Sequence, residues 1–223
     1  GRSRFALQML PETDFPDITA GEFTHRFTLA SRELRSLIDA TQFAISTEET
    51  RYYLNGIYMH SVATAGGDRL RAVATDGHRL SIVGADPKVE QVMELDKGMI
   101  IPRKGITEIR RLVEDKDGSV EIGVKKGMCV LKKDGIILKV SLIDAEFPDY
   151  KRVVPKDKGT VVELERAAVL HALRRMSVMA SERYSGVRIK LLTDKMVFNS
   201  INPDVGEASE EVEIQYQEGD VEV

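Results

Sequence analysis

Tryptophan is absent from this 223-residue chain, and cysteine occurs once. The lone Cys129 cannot close an internal disulfide, so the fold must be held by its core. Set in "GMCVLKK", it reads as a buried strand thiol in a reducing cytoplasm. No stretch approaches the roughly 18 consecutive apolar residues of a membrane span, and no signal peptide is visible. The four histidines, His25, His60, His78 and His171, are scattered, with no pair at the helical spacing of zinc ligands. A phosphate loop G-x-x-x-x-G-K-[ST], a G-x-G-x-x-G turn and a G-x-S-x-G elbow are all missing. Acidic residues are numerous enough for a two-metal site, but none clusters at apolar strand ends as such sites require. These absences exclude a disulfide scaffold and a helical membrane anchor. They also argue against an enzyme: no catalytic residue, metal or cofactor is expected.

What is present is an ordinary globular balance, 42% apolar and 30% charged, with room for one or two domains. The net charge of −4 argues at first against a nucleic-acid partner, yet the charge is sorted along the chain. "RKGITEIRR" (103–111) holds four positive charges and one negative, whereas 203–223 hold eight acidic residues and no basic one. A surface that is acidic in most places and basic in one stays open to a phosphate partner.

The chain also repeats itself. "DFPD" (14–17) returns as "EFPD" (146–149). Ahead of each runs an alternating segment patterned as a final strand, "RFALQMLPETD" (4–14) and "ILKVSLIDAE" (137–146). After each comes a short extended piece and an amphipathic helix, "FTLASRELRSLIDATQFAIS" (27–46) and "VELERAAVLHALRRMSVMAS" (162–181). Further on, "RYYLNGIYM" (51–59) is answered by "RYSGVRI" (183–189). The spacing exceeds the roughly 20–50 residues of solenoid repeats, so whole domains are duplicated. FPD then marks the hand-over between domains, because the residue before proline is pushed to extended geometry. The expected layout is the C-terminal end of one domain (1–22), a complete second domain (23–148) and the N-terminal half of a third (159–223). A chain that opens on Gly1 and stops at "GDVEV" is expected to be a window on a longer protein.

The complete domain reads as two copies of a strand–helix–three-strand unit. In the first, "THRFTL" leads into "SRELRSLIDATQFAI", with Leu34, Leu37, Ile38, Thr41 and Ile45 on one helical face. "NGIYMHSV", "RLRAVATDG" and "HRLSIVGA" follow, separated by "AGGD" and "DG" turns. In the second, "GMIIP" leads into "RKGITEIRRLVED", with Ile106, Ile109, Leu112 and Val113 inward, and then "SVEIGVKK", "MCVLKK" and "IILKVSLI". Short helices against antiparallel strands make this an α+β fold. The outer helix faces carry Arg32 and Arg35, then Arg103, Lys104, Arg110 and Arg111, then His171, Arg174 and Arg175. One such face is ordinary solvated surface. Three in equivalent helices form a continuous basic surface suited to a phosphate backbone read without sequence.

"ATDGHRL" (74–80) is the most pointed segment. A tight hairpin explains Asp76 and Gly77 but does not require Thr75, His78, Arg79 or Leu80. A metal at Asp76 and His78 lacks a third ligand.

Together with "RYYLNG" (51–56), "IPRKG" (101–105) and "FPDYKRVVP" (147–155), this segment resembles the sliding clamp family, the beta subunit of bacterial DNA polymerase III. The likeness runs in order and spacing over essentially the whole chain. It implies a homodimeric ring of three-domain subunits, with helices on the inner face and antiparallel sheets outside. Such a ring encircles duplex DNA as a processivity factor without reading its sequence. It also implies tethering of the DNA polymerase III catalytic subunit, the clamp loader and other clamp-motif proteins. By the same resemblance Tyr52, Tyr53, Arg103 and Lys104 contact DNA, while a neighbouring polar position of the family is here Glu48, whose carboxylate would repel phosphate. Leu54, Thr75, Gly77, His78, Arg79, Leu80, Pro148, Arg152 and Val153 line a groove for extended partner peptides. An alternative is that its apolar members are inter-domain core. Phe5 and Leu7 meet Val178 and Met179 of a second subunit across the dimer interface. The competing readings are a non-clamp nucleic-acid-binding scaffold of duplicated domains and, more remotely, a metal-dependent nuclease.

Overall fold

The computed structural model describes residues 2–14, 25–64, 67–85, 95, 98–125, 127–156, 161–181, 186–216 and 221–222. The chain divides into two compact units, Gly1–Asp149 and Tyr150–Val223.

In the first unit β1 (His25–Ala30) runs without a turn into α1 (Ser31–Thr41). Ser31, Leu34, Leu37, Ile38 and Thr41 form its buried stripe, as their spacing of three and four predicts. The helix stops short of the predicted Ile45. The Thr41 hydroxyl bonds back to the Leu37 carbonyl (2.6 Å), a 3-10 turn covers Gln42–Ala44, and Ile45 is buried from outside the helix. Next come β2 (Gly56–Thr64), β3 (Gly67–Thr75) and β4 (Leu80–Ala85). The second half repeats the order with β5 (Met99–Pro102), α2 (Arg103–Leu112), β6 (Ser119–Lys125), β7 (Met128–Lys133) and β8 (Ile136–Ser141).

The pairing does not follow the repeat. One sheet has the order β1-β6-β7-β8 and the other β4-β3-β2-β5. Each half thus donates its first strand to the sheet of the other, with Phe27 opposite Ile122 and Ile57 opposite Ile101. A strand that passes straight into a helix cannot hairpin onto its own successors; the open edge of the other half completes its ladder instead. The exchange gives the two halves one shared core, in which Phe27, Leu34, Ile38, Ile106, Ile109, Ile122 and Val140 are buried together. Each such side chain contributes about 1.5–3 kcal/mol on leaving water. Cys129 is buried in β7, and desolvation pushes its thiol up to about 12, so it is inert at neutral pH.

The second FPD copy has a visible role. The Phe147 ring lies flat on Tyr58 of β2, with centroids 4.8 Å apart and planes at 5°. It fastens the chain to the sheet just before the unit ends. Phe15–Asp17 of the first copy and the predicted boundary at 22–23 lie outside the described residues. The strand expected over 4–14 is not formed: 2–11 carry no regular structure and Glu12–Asp14 make a 3-10 turn. Alternation alone does not make a strand, because a ladder partner must supply the hydrogen bonds. Among the described residues none pairs with this segment.

The second unit opens with the 3-10 turn Tyr150–Arg152, followed by α3 (Arg166–Met176), β9 (Arg188–Leu192), β10 (Lys195–Asn202), β11 (Gly206–Glu213) and β12 (Val221–Glu222). Its sheet has the order β11-β10-β9-β12, so β12 takes on β9 the edge that β5 takes on β2. Ala172, Met176, Met196, Phe198, Ile214 and Tyr216 make its core. Residues 161–165, which stand where β1 stands in the repeat, form a single bridge, Glu163 to Gln215. No described helix in either unit is long and apolar enough to cross a membrane.

Candidate nucleic-acid interface and partner groove

The four predicted DNA contacts come from two segments that the first unit joins. Glu48 opens a 3-10 turn over Glu49–Leu54, broken at Arg51 (φ −112°, ψ 49°). Tyr52 and Tyr53 follow that kink and meet edge to face, with centroids 6.0 Å apart. Tyr52 stands 55% exposed. The turn is closed by Asn55, whose amide donates to the Glu48 carbonyl (3.1 Å) and whose carbonyl accepts from the Arg103 backbone N–H (3.0 Å). Gly56 then pairs with Pro102. A Cβ at Gly56 would run into the Ile101 carbonyl oxygen, so glycine is what lets the two segments approach. Tyr52, Tyr53, Arg103 and Lys104 are thereby gathered at the N-terminus of α2.

That terminus is unlike the other two. α1 carries Glu33 in its first turn, and α3 is capped by Glu165, which accepts from the Ala168 N–H at 2.6 Å. α2 has no side-chain cap and begins Arg103-Lys104. Cations there oppose the helix dipole at a cost of about 0.3–1 kcal/mol each, and the first amides lack partners within the helix. Stability does not ask for this arrangement; an arriving anion would.

The uniformly basic helix faces expected from sequence need correction. Asp39 bonds both Arg35 (2.7 Å) and Arg110 (2.6 Å), and Arg35 also reaches the Arg110 carbonyl (3.3 Å). These two arginines fasten α1 to α2 and are not free charges. Burial would raise the Asp39 carboxyl, but hydrogen bonds from Arg110 and then Arg35 outweigh it and hold it below its ordinary 3.8. Arg111 pairs with Glu108 (3.1 Å), and Arg175 with Glu210 of β11. Among the described residues Arg32, Arg103, Lys104 and Arg174 are exposed without an ion pair. The Arg35–Asp39 spacing of four was legible; the Arg110 partner, far along the chain, was not.

The "ATDGHRL" loop is built by its own side chains. The Thr75 hydroxyl accepts from the Gly77 N–H (3.0 Å) and donates to the Arg79 carbonyl (2.7 Å). Asp76 Oδ1 accepts from the His78 (3.0 Å) and Arg79 (3.1 Å) amides, and Oδ2 from Arg79 Nε (3.0 Å). These bonds, the His78 amide foremost, hold the Asp76 carboxyl below its ordinary value. Thr75 is therefore a turn-maker, and the Asp76 oxygens are occupied by donors, which leaves them poor metal ligands. Gly77 adopts φ +90°, a conformation that side chains resist.

Two residues that sequence reasoning left out belong to this surface. Arg51 grips Glu48 with Nε (2.8 Å) and Nη2, which compensates the carboxylate expected to repel phosphate. Its Nη1 lies under Gly77, where any Cβ would collide with it. The side chain thus joins the 48–54 turn to the 75–80 loop. Phe43, 55% exposed, lies beneath the Arg79 guanidinium, 5.5 Å from ring centroid to Cζ. Arg51 sits inside the quoted "RYYLNG", so its position was readable; nothing in the sequence signalled Phe43.

Of the predicted groove residues, Leu54 is buried and Leu80 half-buried at the base of the loop, while Gly77, His78, Arg79 and Pro148 are exposed. Arg152 and Val153 are exposed in the second unit, on and just after its opening turn. Phe5 and Leu7 stand 85% and 86% exposed in the first unit. In the second, Val178 is exposed and Met179 half-buried on the 3-10 turn after α3, where the Met179 carbonyl accepts from Asn202 (2.8 Å).

The first unit matches the family model for the DNA polymerase III beta subunit, central domain, over residues 28–149. Residues 151–223 match the model for the C-terminal domain of the same subunit. The beta sliding clamp of Caulobacter vibrioides is 40% identical over 216 residues, which is 97% of this chain and 58% of that protein. That of Escherichia coli K12 is 32% identical over 223 residues, 100% of this chain and 59% of its own. Among solved structures, the C. crescentus beta sliding clamp superposes with a TM-score of 0.91 at 39% identity, covering 100% of this chain and 58% of that one. A Bartonella birtlesii clamp bound to griselimycin gives 0.87 at 37% identity, covering 98% and 58%. The chain spans somewhat over half the length of the curated relatives it matches.

Proposed function

Because the chain belongs to the DNA polymerase III beta subunit family, we propose that it is part of a sliding clamp, a non-enzymatic ring around duplex DNA. A closed ring is held topologically, so its phosphate contacts can stay weak and blind to sequence, and it slides. A polymerase tethered to it stays at high effective concentration on the template. Residues 1–22 are the end of one clamp domain, 23–148 a second, and 159–223 the first half of a third. Phe5 and Leu7 meet Val178 and Met179 of a second subunit, which closes the ring. Leu54, Thr75, Gly77, His78, Arg79, Leu80, Pro148, Arg152 and Val153 receive extended peptides of the polymerase catalytic subunit, the clamp loader and other partners. The site of action is the cytoplasm.

The observation that carries the DNA side is the gathering of Tyr52, Tyr53, Arg103 and Lys104 at an uncapped, basic helix terminus. A measurement of duplex binding against salt tests it. Arg103→Ala with Lys104→Ala should weaken binding equally on unrelated sequences and lower the salt slope by roughly 1 per lost phosphate contact. A change in discrimination between sequences would mean that α2 reads bases, and would count against the clamp.

A further inference from the structure

One side chain stands between the two candidate sites of the first unit. Arg51 lies immediately before Tyr52 and Tyr53, and its guanidinium reaches in two directions. Nε and Nη2 are held by the two Glu48 oxygens, while Nη1 lies against Gly77 in the peptide-groove loop. The pair is open to exchange, because the Arg51 side chain is 31% exposed and that of Glu48 52% exposed. Asp76 and His78 on the groove side also act on the pair: Asp76 on both members and His78 on Glu48. Among the described residues no other is bonded to the Arg51 side chain.

We infer that Glu48 is a built-in occupant of Arg51 that competes with an acidic group of a partner peptide, so that peptide and DNA oppose each other's binding. The inference rests on the clamp reading above. A peptide carboxylate arriving beside Gly77 meets a guanidinium whose planar fork favours bidentate carboxylates. As Arg51 turns to it, Glu48 loses its counter-charge. The bare carboxylate then stands at the mouth of the Tyr52–Tyr53 turn, and phosphate contact there weakens. Linkage makes the effect reciprocal: DNA on the turn favours the Glu48–Arg51 pair and so weakens the acidic peptide. A peptide of the same shape with no acid leaves the pair intact and is indifferent to DNA. Exchange of one exposed ion pair for another sets a modest scale, about threefold.

The test uses this chain, a short labelled DNA duplex at low salt, and two synthetic peptides with leucine and phenylalanine anchors, one bearing glutamate and the other glutamine at the same position. Saturating glutamate peptide should weaken duplex binding about threefold, whereas the glutamine peptide should leave it unchanged. In Glu48→Gln the opposition should vanish, duplex binding should tighten, and the glutamate peptide should bind more strongly than to the parent chain. Coupling that survives Glu48→Gln, or equal effects of both peptides, would overturn the inference and leave the clamp reading standing. If neither the duplex nor either peptide binds this chain, the inference falls.

Discussion

Residues 25–149 and 161–222 begin from the same sequence pattern and reach different packing. In the first, two strand–helix–three-strand halves exchange their first strands and close over one core. Both helices bury a full stripe: Leu34, Leu37 and Ile38 on α1, Ile106 and Ile109 on α2. In the second, one half has its own sheet, β12 on the receiving edge, and a helix that buries only Ala172 and Met176. Leu164 and Leu173 stay more than a third exposed and line an open groove of about 470 Å3 with Val162, Val169 and Leu170. The difference teaches that the half is a unit of sequence but not of stability. Its helix turns Ala172 and Met176 to its own sheet and leaves Leu173 on an open face.

The largest effect should therefore come from truncating the closed side. Ile109→Ala, at a fully buried position of the shared core, should cost about 3 kcal/mol in urea unfolding. Leu173→Ala, on the open face of α3, should stay within about 0.5 kcal/mol. Equal costs would show that something already covers that face, and the contrast would fail.

The exchanged strand can be attacked by itself. Gly56→Ala puts a methyl against the Ile101 carbonyl where β2 receives β5, and should cost about 1–3 kcal/mol. Amide exchange should quicken across residues 99–101 and at Arg103, whose N–H bonds the Asn55 carbonyl, while β9 and β10 keep their protection. Unaltered protection at residues 99–101 would mean that the exchanged edge yields without loss.

The smallest effect concerns the electrostatic ties of the helices. The Asp39 carboxyl lies below 3.8 in the folded chain, its raising by burial outweighed by Arg110 and Arg35. A depressed carboxyl stabilises the fold above its unfolded pKa, and that contribution is lost as pH falls through the folded value. Asp39→Asn should therefore reduce the loss of stability as pH falls from neutral to below 3.8. Glu210, held down mainly by its hydrogen bond from Arg175, makes the matching tie between α3 and β11. Glu210→Gln should flatten the acid limb of the second unit in the same way, seen by melting followed region by region. Acid limbs indistinguishable from the parent would show both ties to be idle.

Much of this was written locally. The stripe Leu34-Leu37-Ile38-Thr41, the alternation of "HRFTL", the turn at Asp76-Gly77 and the buried thiol of Cys129 each depend on residues a few positions apart, and each is found as read. So is the order strand, helix, three strands, because periodicity and turn chemistry act within one element. Pairing is another matter. Nothing in Phe27 says that its neighbour is Ile122, and nothing in Asp39 says that it will hold Arg110. A strand edge accepts any strand with the right face, and an exposed arginine accepts any nearby carboxylate, so these choices were made only when distant segments met. The alternating 4–14 segment shows the same limit from the other side: its pattern permits a strand, and without a ladder partner no strand forms. Arg51 joins both levels. Its place beside Tyr52 is a fact of the chain, but its reach from Glu48 to Gly77 exists because two loops were folded to within the length of one side chain.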